Sequence, residues 1–87
     1  MYHAKLADEA ERDLEQLDKP IAQRIRKRIK WLADNFEQVT PEPLSGPLAN
    51  LHKLRVGDYR VLYDIVRQDR VLLIHRIRHR REVYREK

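Results

Sequence analysis

Apolar side chains recur along this chain with two different periods, and the change of period divides it. Ala7, Ala10, Leu14 and Leu17 recur at helical spacing. Ile21, Ile25, Ile29, Leu32 and Phe36 then form one clean stripe, with Arg24, Lys27, Arg28 and Lys30 mostly off it. Asp18-Lys19-Pro20 separates the two runs, because proline stops one helix and is tolerated in the first turn of the next. Residues 7–36 are therefore predicted to form a helical hairpin with a shared apolar seam. Asp8 followed by Glu11 predicts the cap of the first helix, with the carboxylate accepting from free backbone N–H groups. Acids at that end also favour the positive pole of the helix dipole.

The rest of the chain has the shorter period of strands. Residues 2–6 predict a short first strand. Residues 37–50 hold three of the four prolines and Gly46, and predict a connecting loop. Three strands are predicted at 51–56, 59–67 and 70–78, joined by Gly57-Asp58 and Gln68-Asp69. Turns that short imply an antiparallel meander. Residues 79–87 predict a short helix or an irregular tail. The expected class is α+β, with a first strand and a helical hairpin packed on a mainly antiparallel sheet. Residues 1–87 are expected to be one domain, because neither half can build a core alone.

Alternation assigns faces to the meander. Leu54 and Val56 share a face, with Lys53 and Arg55 opposite. Val61, Tyr63 and Ile65 oppose Arg60, Leu62 and Asp64. In the last strand Val71, Leu73, His75 and Ile77 oppose Leu72, Ile74, Arg76 and Arg78. With the hairpin covering the more apolar faces, the other side is expected to gather Lys53, Arg55, Arg60, Arg76 and Arg78 around a floor of Leu62 and Ile74.

Charge sharpens this picture. The net charge of +5 is uneven: residues 1–18 carry two bases and six acids, and residues 19–36 six bases and one acid. Residues 51–87 carry eleven bases and five acids. A polyanion is drawn to the second helix and the C-terminal half. There is no cysteine, so no disulfide and no thiolate metal site, and a reducing compartment such as the cytoplasm is expected. No run approaches the roughly 20 apolar residues of a membrane span, and Met1-Tyr2-His3 leads straight into charge rather than into a signal peptide. His75 and His79 have the spacing of a helical zinc pair, but on a strand that spacing is about 13 Å, too far to share an ion. No metal or cofactor is expected. His52 and His75 read as partly buried strand residues, Tyr59 and Tyr63 as packing residues, and Trp31 as core or partner surface.

The run from Leu44 to Tyr63, with Lys53-Leu54-Arg55-Val56-Gly57-Asp58-Tyr59-Arg60 at its centre, resembles the signature of the RelE/ParE toxin superfamily. The ending Arg78-His79-Arg80-Arg81-Glu82-Val83-Tyr84 resembles its RelE branch. The resemblance implies an mRNA endonuclease that cuts messages in the ribosomal A site and is silenced by a cognate antitoxin. Ribosome, mRNA and antitoxin are then the expected partners. By position it makes Lys53, Arg55, Arg60, Arg80 and Tyr84 the candidate catalytic residues. Arg78 and Arg80 are rival counterparts of the family's late arginine, with Arg80 preferred. Arg55 stands where some members have lysine, which replaces an amine able to accept a proton with a group that stays charged.

That residue set suits metal-free RNA cleavage, in which the 2′-hydroxyl attacks the adjacent phosphorus. Fixed cations such as Arg60 and Arg80 stabilise the charge that gathers on the phosphoryl oxygens. Lys53 or Tyr84 can take the 2′ proton, and Tyr84 can instead stack on a base. His79 can protonate the leaving 5′-oxygen. Arg24, Lys27, Arg28 and Lys30 on the second helix, with Arg76, form an expected RNA-binding surface. The rival expectation is a ParE-like gyrase inhibitor on the same fold, which needs a partner surface and no catalytic set. An inactive relative that only binds nucleic acid is the third.

Overall fold

In a computed structural model of the chain, residues 1–46 and 50–85 are described, without the side chains of Tyr84 and Arg85. Residues 47–49 of the connecting loop and the final two of the tail lie outside the described residues. The order is β1 (His3–Leu6), α1 (Asp8–Glu15), α2 (Lys19–Asp34), a 3-10 turn (Phe36–Gln38), β2 (Glu42–Pro43), β3 (His52–Val56), β4 (Tyr59–Val66), β5 (Val71–His79) and α3 (Arg80–Arg85). The five strands form one sheet in the order β1-β5-β4-β3-β2. The meander pairs antiparallel, and β1 joins β5 in parallel. The α+β class and the hairpin on the sheet are as expected.

The helices bury their apolar stripes on one face of this sheet. Ala10 and Leu14 of α1 and Ile25, Ile29 and Leu32 of α2 meet Leu54, Val56, Val61, Tyr63, Leu72, Ile74 and Ile77. Tyr2 closes one end against Phe36, with ring centroids 4.7 Å apart. The Tyr63 ring lies edge-on to Phe36 at 6.3 Å. Burial, with the charge of Glu42 added, pushes the Tyr63 phenol up to about 12.

Two expectations need correction. The N-cap of α1 is Ala7 rather than Asp8, and no side chain caps it. The Ala7 N–H is spent on Ile74 O at 2.9 Å, so β1 runs straight into the helix and Asp8 falls in its first turn. The alternation of β5 also breaks. Tyr63 stands opposite Ile74 and Leu62 opposite Arg76, so His75 is an extra residue, a bulge. The bulge reverses the faces beyond it. Leu72 and Ile74 join the main core, and so does Ile77. Ile74 is therefore no part of a floor beneath the cations. Leu62 instead packs with Leu44 and Val83, which brings α3 onto the outer face of the sheet.

The bulge is held from α1. β1 ends opposite Ile74, leaving the edge of β5 beyond it unpaired by that strand. Asp13 fills the gap: its carboxylate accepts the Ile77 N–H at 2.9 Å and the Arg76 Nε at 2.9 Å and Nη2 at 3.1 Å. Burial alone raises the Asp13 carboxyl. The bonds from Arg76 and Ile77, with the charges of Arg76 and Arg78, outweigh it and hold the group below the usual carboxylate range.

Asp13→Ala should therefore cost about 1–3 kcal/mol of stability, read as a fall in urea midpoint, because it leaves the buried Ile77 N–H without its acceptor and removes two hydrogen bonds from Arg76. Since the native carboxyl titrates below its unfolded value of 3.8, its contribution is complete above that pH. It is lost only as pH falls through the lowered native value. Tyr63 gives the opposite sign. Its native phenol keeps a proton that the unfolded chain loses near pH 10, so stability should decline between pH 10 and about 12, measured by unfolding across that range.

Candidate active site on the outer face of the sheet

The outer face carries a row of like charges. Arg55 on β3 lies directly opposite Arg60 on β4, and Arg60 directly opposite Arg78 on β5. Directly opposite residues in such a ladder have Cβ atoms about 4.5–5.5 Å apart, and like charges so placed destabilise a sheet. The next row is Lys53, Leu62 and Arg76. The meander thus brings Lys53, Arg55, Arg60 and Arg78 to one face, as the alternation predicted for β3 and β4.

Arg60 is the centre of the row and is only 7% exposed. Its Nη1 donates to Gly57 O and Tyr59 O, each at 2.9 Å. Its buried Nε has no hydrogen-bond partner among the described residues. Neither Asp58 nor Asp64 pairs with it there, and Asp64 instead accepts the Ile65 N–H. Arg60 is therefore a fixed cation anchored by neutral carbonyls, with no carboxylate bonded to it among the described residues. Arg80 begins α3 beside it. The Arg80 N–H donates to Asp58 O at 2.7 Å, and its exposed side chain lies 4.0 Å from the Asp58 carboxylate. Arg78 reaches Glu82 one turn into α3 at 3.3 Å.

An acid that sequence reasoning missed closes the other end. Glu42 on β2 stands opposite Lys53 and meets both Lys53 Nζ at 3.5 Å and Arg55 Nη2 at 2.8 Å. The hydrogen bond from Arg55, aided by the charges of Lys53 and Arg55, outweighs desolvation and holds the Glu42 carboxyl below its usual range. Its only signal in the sequence is an acid in the proline-rich loop, and a two-residue strand has no periodicity to read.

Other candidates lie elsewhere. His79 pairs with Tyr59 across the strands, its ring edge-on at 5.5 Å, on the face opposite the Arg78 row. Its Nδ1 accepts the Arg81 N–H. Arg76 turns to Asp13 at the sheet edge. The Tyr84 side chain lies outside the described residues. The basic residues of α2 make separate contacts. Lys30 pairs with Asp34 at 3.3 Å, Arg24 lies over Gly57, and the Arg28 guanidinium sits 4.4 Å from the centre of the Trp31 ring.

Residues 4–84 match the family described as the ParE toxin of the type II toxin–antitoxin system parDE. The chain belongs to this family, within the RelE/ParE toxin superfamily. It is 36% identical over 64 residues to Toxin RelE of Mycobacterium tuberculosis, a stretch covering 74% of this chain and 66% of that relative, just under two thirds of its length. In fold it is similar to the RelBE2 toxin–antitoxin complex of M. tuberculosis, with a TM-score of 0.80, 29% identity and coverage of 90% of this chain and 96% of that one. It also resembles the isolated RelE toxin of E. coli, with a TM-score of 0.73 and 17% identity over 99% of this chain and 94% of that one.

In this ParE-family chain the cationic row depends on one tight turn. Val56 and Tyr59 pair directly, so Gly57 and Asp58 form a two-residue hairpin loop. Gly57 has φ +59°, the left-handed conformation such a loop requires at its first position. Its carbonyl holds Arg60, and a Cβ there would lie 3.3 Å from Arg24 Nη1. Gly57→Ala should lower stability by about 1–2 kcal/mol through the left-handed penalty, measured by thermal unfolding.

Proposed function

We propose that this toxin-family chain is the toxin of a toxin–antitoxin pair and acts as a metal-independent endoribonuclease on ribosome-bound mRNA. The observation that supports this most is the in-register row Arg55–Arg60–Arg78, with Lys53 in the adjoining row and Arg80 at the start of α3 two residues after Arg78. A sheet built only for stability gains nothing from three guanidinium groups abreast. A phosphodiester gains much, because the transition state of its transesterification spreads negative charge over oxygens that such groups contact.

In this reading Arg60 and Arg80 stabilise the phosphoryl oxygens. Lys53 and Arg55 hold the strand beside the cut. The 2′-oxygen bonds to phosphorus as the bond to the 5′-oxygen breaks, leaving a 2′,3′-cyclic phosphate and a 5′-oxygen that takes a proton from water to become the 5′-hydroxyl. Glu42, ionised at neutral pH between two cations, is the carboxylate placed to accept the 2′ proton; Tyr84 is the other candidate. A low-basicity acceptor and the absence of an obvious proton donor make a weak acid–base set. Such a site depends on substrate held in attack geometry, which a ribosome supplies. The solved complexes of RelE with RelB support an antitoxin as the natural partner. An antitoxin carrying acidic side chains neutralises the row directly.

A second reading is favoured by the family match itself, whose namesake is ParE. On that reading the chain inhibits DNA gyrase and cuts no RNA. Purified protein added to a translation reaction, with message ends mapped by primer extension, separates the two. Cuts within ribosome-occupied codons, nearly absent on naked RNA, are expected. Intact message together with arrested DNA supercoiling establishes the second reading instead. Arg60→Ala and Arg80→Ala should each slow cleavage by roughly 100- to 1,000-fold, the usual loss for one oxyanion contact, with the fold retained by circular dichroism. Glu42→Gln should slow it without loss of RNA binding.

A further inference from the structure

Trp31 is one of two large apolar side chains exposed among the described residues, the other being Met1. It is 43% exposed, on the solvent side of α2, with the Arg28 guanidinium over its ring at 4.4 Å. Arg24, Arg28 and Trp31 follow one another at i, i+4 and i+7, so they share one face of the helix. That stripe runs beside β3. Arg24 lies over Gly57, at the end of β3 where Arg60 is anchored. Arg28 lines a cleft of about 210 Å³ together with Leu32, Leu54, Glu42, Lys53 and Arg55. The cleft therefore links the Lys53–Arg55 end of the outer face to Arg28, which in turn lies over Trp31.

We infer that Arg28 and Trp31 form a stacking subsite for one unpaired nucleobase of the RNA strand that is cut. The cleft runs from Arg28 to Lys53 and Arg55, and these three cations in its otherwise largely apolar lining suit an intervening phosphate. The flat indole offers a face that any base can stack on, and a guanidinium adds both charge and a second planar surface. α2 carries six bases and one acid, so the surround is complementary to a polyanion. Charge alone also suits an acidic protein, but the exposed ring beside a phosphate-sized cleft favours a nucleotide. The identity of the strand rests on the endoribonuclease reading; the stacking itself does not.

Trp31 is the sole tryptophan, so its emission reports on this subsite alone. The full chain is titrated at low salt with a short 2′-O-methyl oligoribonucleotide, which binds but cannot be cut because its attacking hydroxyl is blocked. Saturable quenching is expected. The same oligonucleotide with abasic positions should bind through its phosphates, by anisotropy, with most of the quenching lost. Trp31→Ala should weaken binding of the base-containing strand about tenfold, and Trp31→Phe should restore most of it. Binding without quenching, equal quenching by the abasic strand, or no binding at low salt overturns the subsite. Quenching by an acidic peptide but not by RNA also overturns it and assigns the patch to a protein partner. Cleavage in the translation reaction is read separately. Quenching without cleavage counts against the nuclease reading alone, and cleavage without quenching against the subsite alone.

Discussion

The bulge at His75 is the constraint on which the rest depends. One strand, β5, must supply Leu72, Ile74 and Ile77 to the core and still present Arg78 outward. Strict alternation cannot do both, because even-numbered positions would carry two core residues and two arginines on one face. One inserted residue changes the parity half-way along. Before the bulge Leu72 and Ile74 face the hairpin; after it Ile77 does, and Arg76 and Arg78 face outward. Asp13 makes the arrangement durable by taking the backbone N–H that the bulge and the short β1 leave at the edge.

This explains which parts of the protein were legible in its sequence. The hairpin, the three meander strands and both turns follow from periodicity and from Pro20, Gly57 and the loop prolines, whose effects are local. Lys53, Arg55 and Arg60 were placed on one face correctly because β3 and β4 are regular. Leu72 and Ile74 were not, since nothing in the apolar pattern of β5 distinguishes a bulge from a continuous strand. The parallel pairing of β1 with β5 joins residues about seventy positions apart, and no local signal encodes it.

The site shows the same division. Its cations were readable as residue types on predicted strands, and the family resemblance ordered them. What was not readable is their company. Glu42 enters through a pairing of two residues, Arg60 is anchored by carbonyls rather than by acids, and His79 is turned to the helix side by strand pairing with Tyr59. These are consequences of register and main-chain geometry, which composition does not record. Residue identity alone gives neither the side of the sheet on which His79 lies nor the contacts of Glu42.

The row of guanidinium groups has a thermodynamic consequence for the chain as a whole. Folding brings Arg55, Arg60 and Arg78 abreast, and although Glu42 and Glu82 offset the outer two, Arg60 between them is held by carbonyls alone among the described residues. Any negatively charged occupant of that face relieves the remaining repulsion and thereby favours the native form over the unfolded one. Ligation and folding are thus coupled, and whatever anion this face accepts also acts as a folding ligand.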